Sequence, residues 1–277
     1  MLNKHFSNMP TPNEVHWSAL SHTGKFRKDN EDAFLALLIE DRQIHRLGKF
    51  GEATIDGREF IFAVSDGMGG ANAGEFASRI AVEMLTRFTS TDSLPKEDNA
   101  CQEFLKNLFQ HIHKEILYQA NSYEECKGMG ATLSLCLLQQ DKLHFCHVGD
   151  SRIYRYSQAE ETDALTHDDT HVGWLYKQGK LNEHQARQHP RRCNLQQVLG
   201  GKTQFLTPQT GSLATSQDET YLLCTDGVVE GMANRALRRN TLKPNPGSEQ
   251  TTAERIVFEA IEQDGRDNTT ALVFRMK

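Results

Sequence analysis

In three places an apolar run leads straight into an aspartate beside a glycine. These are Phe60-Ile61-Phe62-Ala63-Val64-Ser65-Asp66-Gly67, His147-Val148-Gly149-Asp150 and Tyr221-Leu222-Leu223-Cys224-Thr225-Asp226-Gly227. Asp267 stands in Gly265-Arg266-Asp267-Asn268 ahead of another apolar run, and Glu31 and Asp32 close the stretch Arg27-Lys28-Asp29-Asn30-Glu31-Asp32. Strand ends on one edge of a sheet are neighbours in space, so ionised carboxylates gathered there repel unless a cation lies among them. Carboxylate oxygens with no cysteine or paired histidine favour Mg²⁺ or Mn²⁺ over Zn²⁺. A neighbouring glycine leaves the backbone free to approach such an ion. A single Asp-Gly is an ordinary turn. Its repetition, with Arg27 close to Glu31, points to a metal centre.

Those acids can meet only if strands carry them to one place. Apolar runs predict strands over 15–19, 33–38, 59–64, 132–138, 142–147, 153–156, 220–224 and 270–274. Between the third and fourth, Phe76, Ala77, Ile80, Ala81, Met84, Leu85 and Phe88 recur at helical spacing. Phe104, Leu105, Leu108, Phe109, Ile112, Ile116 and Leu117 do the same in a second helix. A third helix is predicted from Thr251, with Glu254 completing a capping box and Ile256, Val257, Ala260 and Ile261 as its apolar stripe. Strands, two helices, strands, then a helix and a last strand is an α+β order, which implies mainly antiparallel sheets with helices outside. The expected organisation is a polar tail at 1–13 and a single domain over 14–277. The polar segment 41–58 reads as a hairpin excursion. The segment 167–201, rich in His, Gln and Arg, reads as a surface flap whose Gln185 and Arg187 are exposed.

The net charge of −6, with Lys and Arg dispersed, argues against a nucleic-acid surface. Arg235, Arg238 and Arg239 read as a solvated helix face. No apolar run approaches the roughly 20 residues that span a bilayer, and 1–13 lacks the apolar core of a signal peptide, so a cytoplasmic location without membrane contact is expected. None of the six cysteines forms a C-x-x-C pair, and Cys136, Cys146 and Cys224 lie in strand-like runs, which fits reduced thiols.

The acidic stretches resemble those of the protein phosphatase 2C family of metal-dependent serine/threonine phosphatases, in its bacterial type. The matching segments are Arg27-x-x-Asn30-Glu31-Asp32, Ser65-Asp66-Gly67-Met68-Gly69-Gly70, Gly130-Ala131-Thr132, Val148-Gly149-Asp150-Ser151-Arg152, Thr225-Asp226-Gly227 and Gly265-Arg266-Asp267-Asn268. The resemblance implies a four-layer α-β-β-α sandwich. It implies that Asp66 bridges two ions of Mg²⁺ or Mn²⁺, that Glu31 and the Gly67 carbonyl complete one shell with Asp32 supporting bound water, and that Asp226 and Asp267 hold the other ion. Asp150 would help Asp226 bind a third, weaker ion, and Arg27 would hold the substrate phosphate. The implied reaction is hydrolysis of phosphoserine or phosphothreonine in phosphoprotein substrates by a metal-activated water, opposing a serine/threonine kinase. The alternative is a phosphatase-like domain that binds phosphoproteins without turnover. Its signature would be a lost ligand, and every expected carboxylate is present. Met68 departs from many eukaryotic relatives, which carry a proton-donating His there.

Rival chemistries fit less well. Cys146 and Arg152 have the spacing of a cysteine phosphatase, yet Ile153-Tyr154-Arg155-Tyr156 alternates like a strand where a helix should begin, and Asp150 would put negative charge in the phosphate cradle. Gly67-Met68-Gly69-Gly70-Ala71-Asn72 has Asn72 where a dinucleotide site needs its third glycine. His144 and His147 face opposite sides of their strand, as ordinary sheet residues would.

Overall fold

The computed structural model describes residues 13–41, 43–69, 73–89, 94–157, 163–243 and 249–277. The tail expected at 1–13 lies outside them apart from Asn13, as do Gly70, Ala71 and Asn72. The first half contains β1 (Glu14–His22), β2 (Asp32–Glu40), β3 (Gln43–Arg46), β4 (Phe50–Thr54), β5 (Glu59–Met68), α1 (Ala73–Thr89) and α2 (Asp98–Ser122). The middle contains β6 (Gly130–Ala131), β7 (Leu133–Gln139), β8 (Lys142–Val148), β9 (Arg152–Tyr156), β10 (Asp163–Ala164), α3 (His171–Lys177) and α4 (Glu183–Gln188). The remainder is β11 (Leu199–Gly200), β12 (Gln209–Ala214), β13 (Thr220–Cys224), α5 (Asp226–Gly231), α6 (Asn234–Leu242), α7 (Thr252–Gln263) and β14 (Thr269–Met276).

One sheet runs β10-β9-β13-β14-β1-β4, and the other runs β11-β6-β5-β7-β8-β12 with β2 and β3 attached through β5. The pairings are antiparallel. Strands β2, β7 and β13 read as near-continuous apolar runs because both of their faces are covered. Along β5, Phe60, Phe62 and Val64 point between the sheets, while Ile61 and Ala63 point to α1 and α2. Along β14, Leu272, Phe274 and Met276 point between the sheets, and Ala271 and Val273 face α5 and α7. The result is the expected α-β-β-α sandwich. Its centre is an aromatic stack in which Phe62 and Phe274 lie 4.4 Å apart and Tyr221 and Phe274 4.9 Å apart, centroid to centroid. The predicted capping box holds: the Thr251 side chain accepts from the Glu254 N–H, and the Glu254 side chain accepts from Thr251.

The segment 41–58 is not the hairpin that its polarity suggested. β3 pairs with β2 in one sheet, whereas β4 crosses over and pairs with β1 in the other. β1 and β2 each offer an unpaired edge, and splitting the segment satisfies both. Gly51 is required where β4 passes Trp17, since a Cβ there would lie 2.5 Å from the indole ring. Trp17 in turn donates from Nε1 to Gly48 O at 3.0 Å.

The aromatic stack joins the two sheets, so Phe62→Ala should cost about 3–5 kcal/mol of unfolding free energy through lost burial and an unfilled cavity. Urea denaturation of the variant beside the parent checks this; a cost below about 1 kcal/mol would mean that the stack is dispensable.

Candidate active site

Strand register brings the acids together. Asp32 on β2 is directly opposite Asp66 on β5. Asp66 is not in a turn after its strand: β5 continues to Met68 by pairing Gly67 with Ala131 and Met68 with Gly130 on β6. Asp150 follows β8, reached through Gly149 at φ +112°, a conformation that favours glycine. Asp226 is the first residue of α5, with Thr225 at the N-cap position, and so also lies inside an element. Asp267 precedes β14, and its Oδ1 accepts from the Asn268 N–H at 2.8 Å.

Asp66, Asp150 and Asp226 each offer a carboxylate oxygen, all within 4.8 Å of one another. Asp32 stands beside them, with Oδ2 accepting from Thr225 Oγ1 at 2.8 Å and Thr270 Oγ1 at 2.7 Å. Its Oδ1, and the Oδ1 atoms of Asp150 and Asp226, are buried without a hydrogen-bond partner. The Asp66 backbone is pinned by Thr132: the Asp66 N–H donates to Thr132 Oγ1 at 2.9 Å, and the Thr132 N–H donates to Asp66 O at 2.8 Å. Thr132 also shares a hydrogen bond with Ser151 at 2.7 Å, tying β5 to the residue after Asp150.

Glu31 is held by its main chain, whose N–H donates to Asn268 Oδ1 at 2.8 Å and whose carbonyl accepts from the Gly67 N–H at 3.1 Å. Asn268 Nδ2 donates to Thr23 O and Asp29 O, so one side chain fixes the Arg27–Asp32 loop against β14. Gly67 and Gly74 pass closely. A Cβ on Gly67 would meet Gly74 O at 2.0 Å, and one on Gly74 would meet Glu31 Oε1 at 2.3 Å. Half-exposed Arg27 donates from Nη2 to Asp267 Oδ2 at 2.7 Å. Glu31, Gly67 and Asp267 lie outside the close trio, although the charge of Asp267 acts on both Asp66 and Asp226. Sequence reasoning missed Thr132 and Thr270 as positioning residues, because threonine in a predicted strand reads as simple β propensity, and Thr225, because it reads as part of an Asp-Gly turn.

Burial, reinforced by like charge, governs the electrostatics. Burial first, then Asp32, Asp226, Asp150 and Asp267, push Asp66 well above the usual carboxylate range. Asp226 is raised by burial, Asp150 and Asp267 in the same way. Burial lifts Asp32 and Asp150 to about 7. Buried, partnerless hard oxygens on converging carboxylates fit Mg²⁺ or Mn²⁺.

A cavity of about 540 Å³ opens from Asp150 and Asp226 towards α3 and α4. Gln185 is exposed as expected, but Arg187 is not. Its guanidinium donates to the carbonyls of Val229, Glu230 at 2.8 Å and Met232 at 2.9 Å, closing the C-terminal end of α5. Helix carbonyls left without partners draw in a nearby cation, which is why this arginine does not face water. Arg152 binds Asp168 through two hydrogen bonds, of 2.7 and 2.9 Å, and leads into strand β9. Cys146 is fully buried, and burial pushes its thiol well above the ordinary range. A cysteine nucleophile paired with Arg152 is thereby excluded.

The family description Protein phosphatase 2C matches residues 49–268. This chain belongs to that family. It is 32% identical over 218 residues to the serine/threonine phosphatase stp of Listeria innocua, covering 77% of this chain and 83% of that one. The crystal structure of the phosphatase Stp1 from Staphylococcus aureus covers all of both chains with a TM-score of 0.79 at 22% identity, a likeness of fold. The catalytic domain of PstP, solved with two manganese ions, has a TM-score of 0.74 at 25% identity over 95% of this chain and 98% of that one. Among the described residues, no helix is long and apolar enough to cross a membrane.

Because Asp32 and Asp150 are raised from 3.8 to about 7, the fold favours their protonated forms. Their contribution to stability in metal-free protein is present below the ordinary carboxylate value and is lost as pH rises through the raised one. In excess chelator, the thermal midpoint should therefore fall from about pH 4 to about pH 7, and Mn²⁺ should raise it most at the upper end. Scanning calorimetry checks this; a metal-free midpoint that climbs over that interval would contradict the electrostatic picture.

Proposed function

We propose that this family member is a metal-dependent phosphoprotein phosphatase that hydrolyses phosphoserine and phosphothreonine. The observation that carries the reading is the trio Asp66, Asp150 and Asp226, with carboxylate oxygens within 4.8 Å and buried Oδ1 atoms on Asp150 and Asp226 that nothing in the protein satisfies. In this reading Asp66, Glu31 and the Gly67 carbonyl would hold one divalent ion, and Asp66, Asp226 and Asp267 another. Asp150 with Asp226 would hold a third, weaker one, and Asp32 would support bound water with the oxygen that its threonine partners leave free. Divalent ions held there supply Lewis acidity and lower the pKa of water.

The remaining work falls to the protein. Arg27 offers a planar fork to the phosphate, and its bond to Asp267 aims that fork along the acidic cluster. Its half-exposed position lets substrate reach it. Met68 has no proton to give, so the leaving serine or threonine oxygen takes its proton from water or from another group. The cavity beneath 167–201 gives the polypeptide around the phosphoresidue a place to lie, bounded by charged side chains such as Lys177 and Arg266. Opposition to a serine/threonine kinase and a cytoplasmic location complete the proposal; the six cysteines, all free, are in keeping with a reducing compartment. A binding domain without turnover is not favoured, because no carboxylate of the set has been lost.

Three measurements test this. Chelator should abolish release of phosphate from a phosphothreonine peptide, and Mn²⁺ should restore it. Asp66→Asn and Asp226→Asn should each lower kcat by about two orders of magnitude or more while remaining folded. Near-normal turnover by either variant would remove its carboxylate from the centre. Arg27→Ala should act mainly on KM, at a cost of about 1.5–3 kcal/mol in kcat/KM. Unchanged peptide kinetics would mean that Arg27 does not touch the phosphate.

A further inference from the structure

A second set of ligating side chains meets beside the trio. Cys193, Glu230 and Asp226 each offer an atom, all within 4.8 Å of one another. Asp226 and Glu230 are four residues apart on α5 and share a face of that helix. Cys193 comes from the loop after α4, and its thiol donates to Glu230 Oε1 at 3.7 Å. Arg192 Nη2 donates to the same oxygen at 2.6 Å. Cys193 is the exposed cysteine, and the other five are buried. The ligand field is otherwise unsatisfied: Asp226 Oδ1 has no partner, nor has Oδ1 of Asp150, a side chain 7% exposed that lines the same cavity.

We infer that Cys193, Glu230 and Asp226 form an inhibitory site for a thiophilic divalent cation of the Zn²⁺ type. A thiolate with two carboxylates suits Zn²⁺ and leaves a fourth position for water, whereas Mg²⁺ and Mn²⁺ prefer the all-oxygen centre. Asp226 belongs to both sets, so a cation held through Cys193 draws that carboxylate away from the catalytic trio. It also clamps the 167–201 segment onto α5, narrowing the cavity that admits substrate. Coordination releases the thiol proton to solvent and exchanges the Arg192 guanidinium on Glu230 for the metal. Oxidative control of Cys193 is the weaker reading. The sulfur already donates its hydrogen to Glu230 Oε1, so the form held there is the thiol and not the thiolate that oxidants attack. A bound cation removes that proton outright.

The test uses enzyme saturated with Mg²⁺ and titrated with Co²⁺, whose bond to thiolate gives a near-ultraviolet charge-transfer band that oxygen ligands do not. The parent should develop the band and lose it on adding Zn²⁺. Cys193→Ser should keep its Mg²⁺-supported turnover, show no band, and need at least about tenfold more Zn²⁺ for half-inhibition. Glu230→Gln should weaken Zn²⁺ competition by about tenfold or more. Absence of the band in the parent, its persistence in Cys193→Ser, or equal Zn²⁺ sensitivity of the two proteins would overturn the site. An unchanged affinity in Glu230→Gln would overturn this ligand set.

Discussion

Mutual repulsion of carboxylates is the constraint around which this molecule is arranged. Burial, joined at Asp66 and Asp226 by the charge of neighbouring carboxylates, drives Asp32, Asp66, Asp150 and Asp226 towards their protonated forms, and no basic side chain is hydrogen-bonded to any of the four among the described residues. Such a cluster would spread apart if its supports were soft. Instead, β2 and β5 hold Asp32 against Asp66 through a continuous antiparallel ladder, and β13 and β14 carry Thr225 and Thr270 to the Asp32 carboxylate. Behind them lie three buried apolar layers, so movement of any one acid would disturb packing on both faces of a sheet.

The sandwich follows from this need as much as from hydrophobicity. Two sheets whose strands end at a common edge can present acids from β5, β8, β13 and β14 with few long loops. Much of that was legible in the sequence. The run at 220–224 reads as a strand because burial on both sides leaves it mostly apolar. Thr251 with Glu254 marks a helix start because both halves of its cap are written locally.

What was not legible has equally physical causes. Ser65-Asp66-Gly67 is polar and looks like a turn, and only the ladder to β6 keeps it extended. Thr225-Asp226-Gly227 looks the same, yet opens a helix that only the surrounding packing selects. The segment 41–58 lacks the apolar alternation that fixes register, so nothing in its own sequence says that its two strands serve different sheets. Arg187 looked solvated because its partners are main-chain carbonyls, which leave no trace in residue types. Asp66, Asp150 and Asp226 meet with Asp32 beside them, whereas Glu31 and Asp267 stand outside that trio, and Thr132 and Thr270 could not be told from ordinary strand residues.

The bonds from the Glu31 N–H to Asn268 and from the Thr270 hydroxyl to Asp32 join positions 237 and 238 residues apart. Contacts of that span form only after the chain between them has been gathered, and the entropy of closing so large a loop falls on the last steps of assembly. During synthesis, the loop that carries Arg27 and Glu31 leaves the ribosome long before β14 exists to receive it. Until then Asp32 lacks the Thr270 hydroxyl, and Glu31 lacks the amide that fixes its main chain. A growing chain therefore cannot hold these acids in their final setting, and the acidic edge is completed only when its last strand arrives.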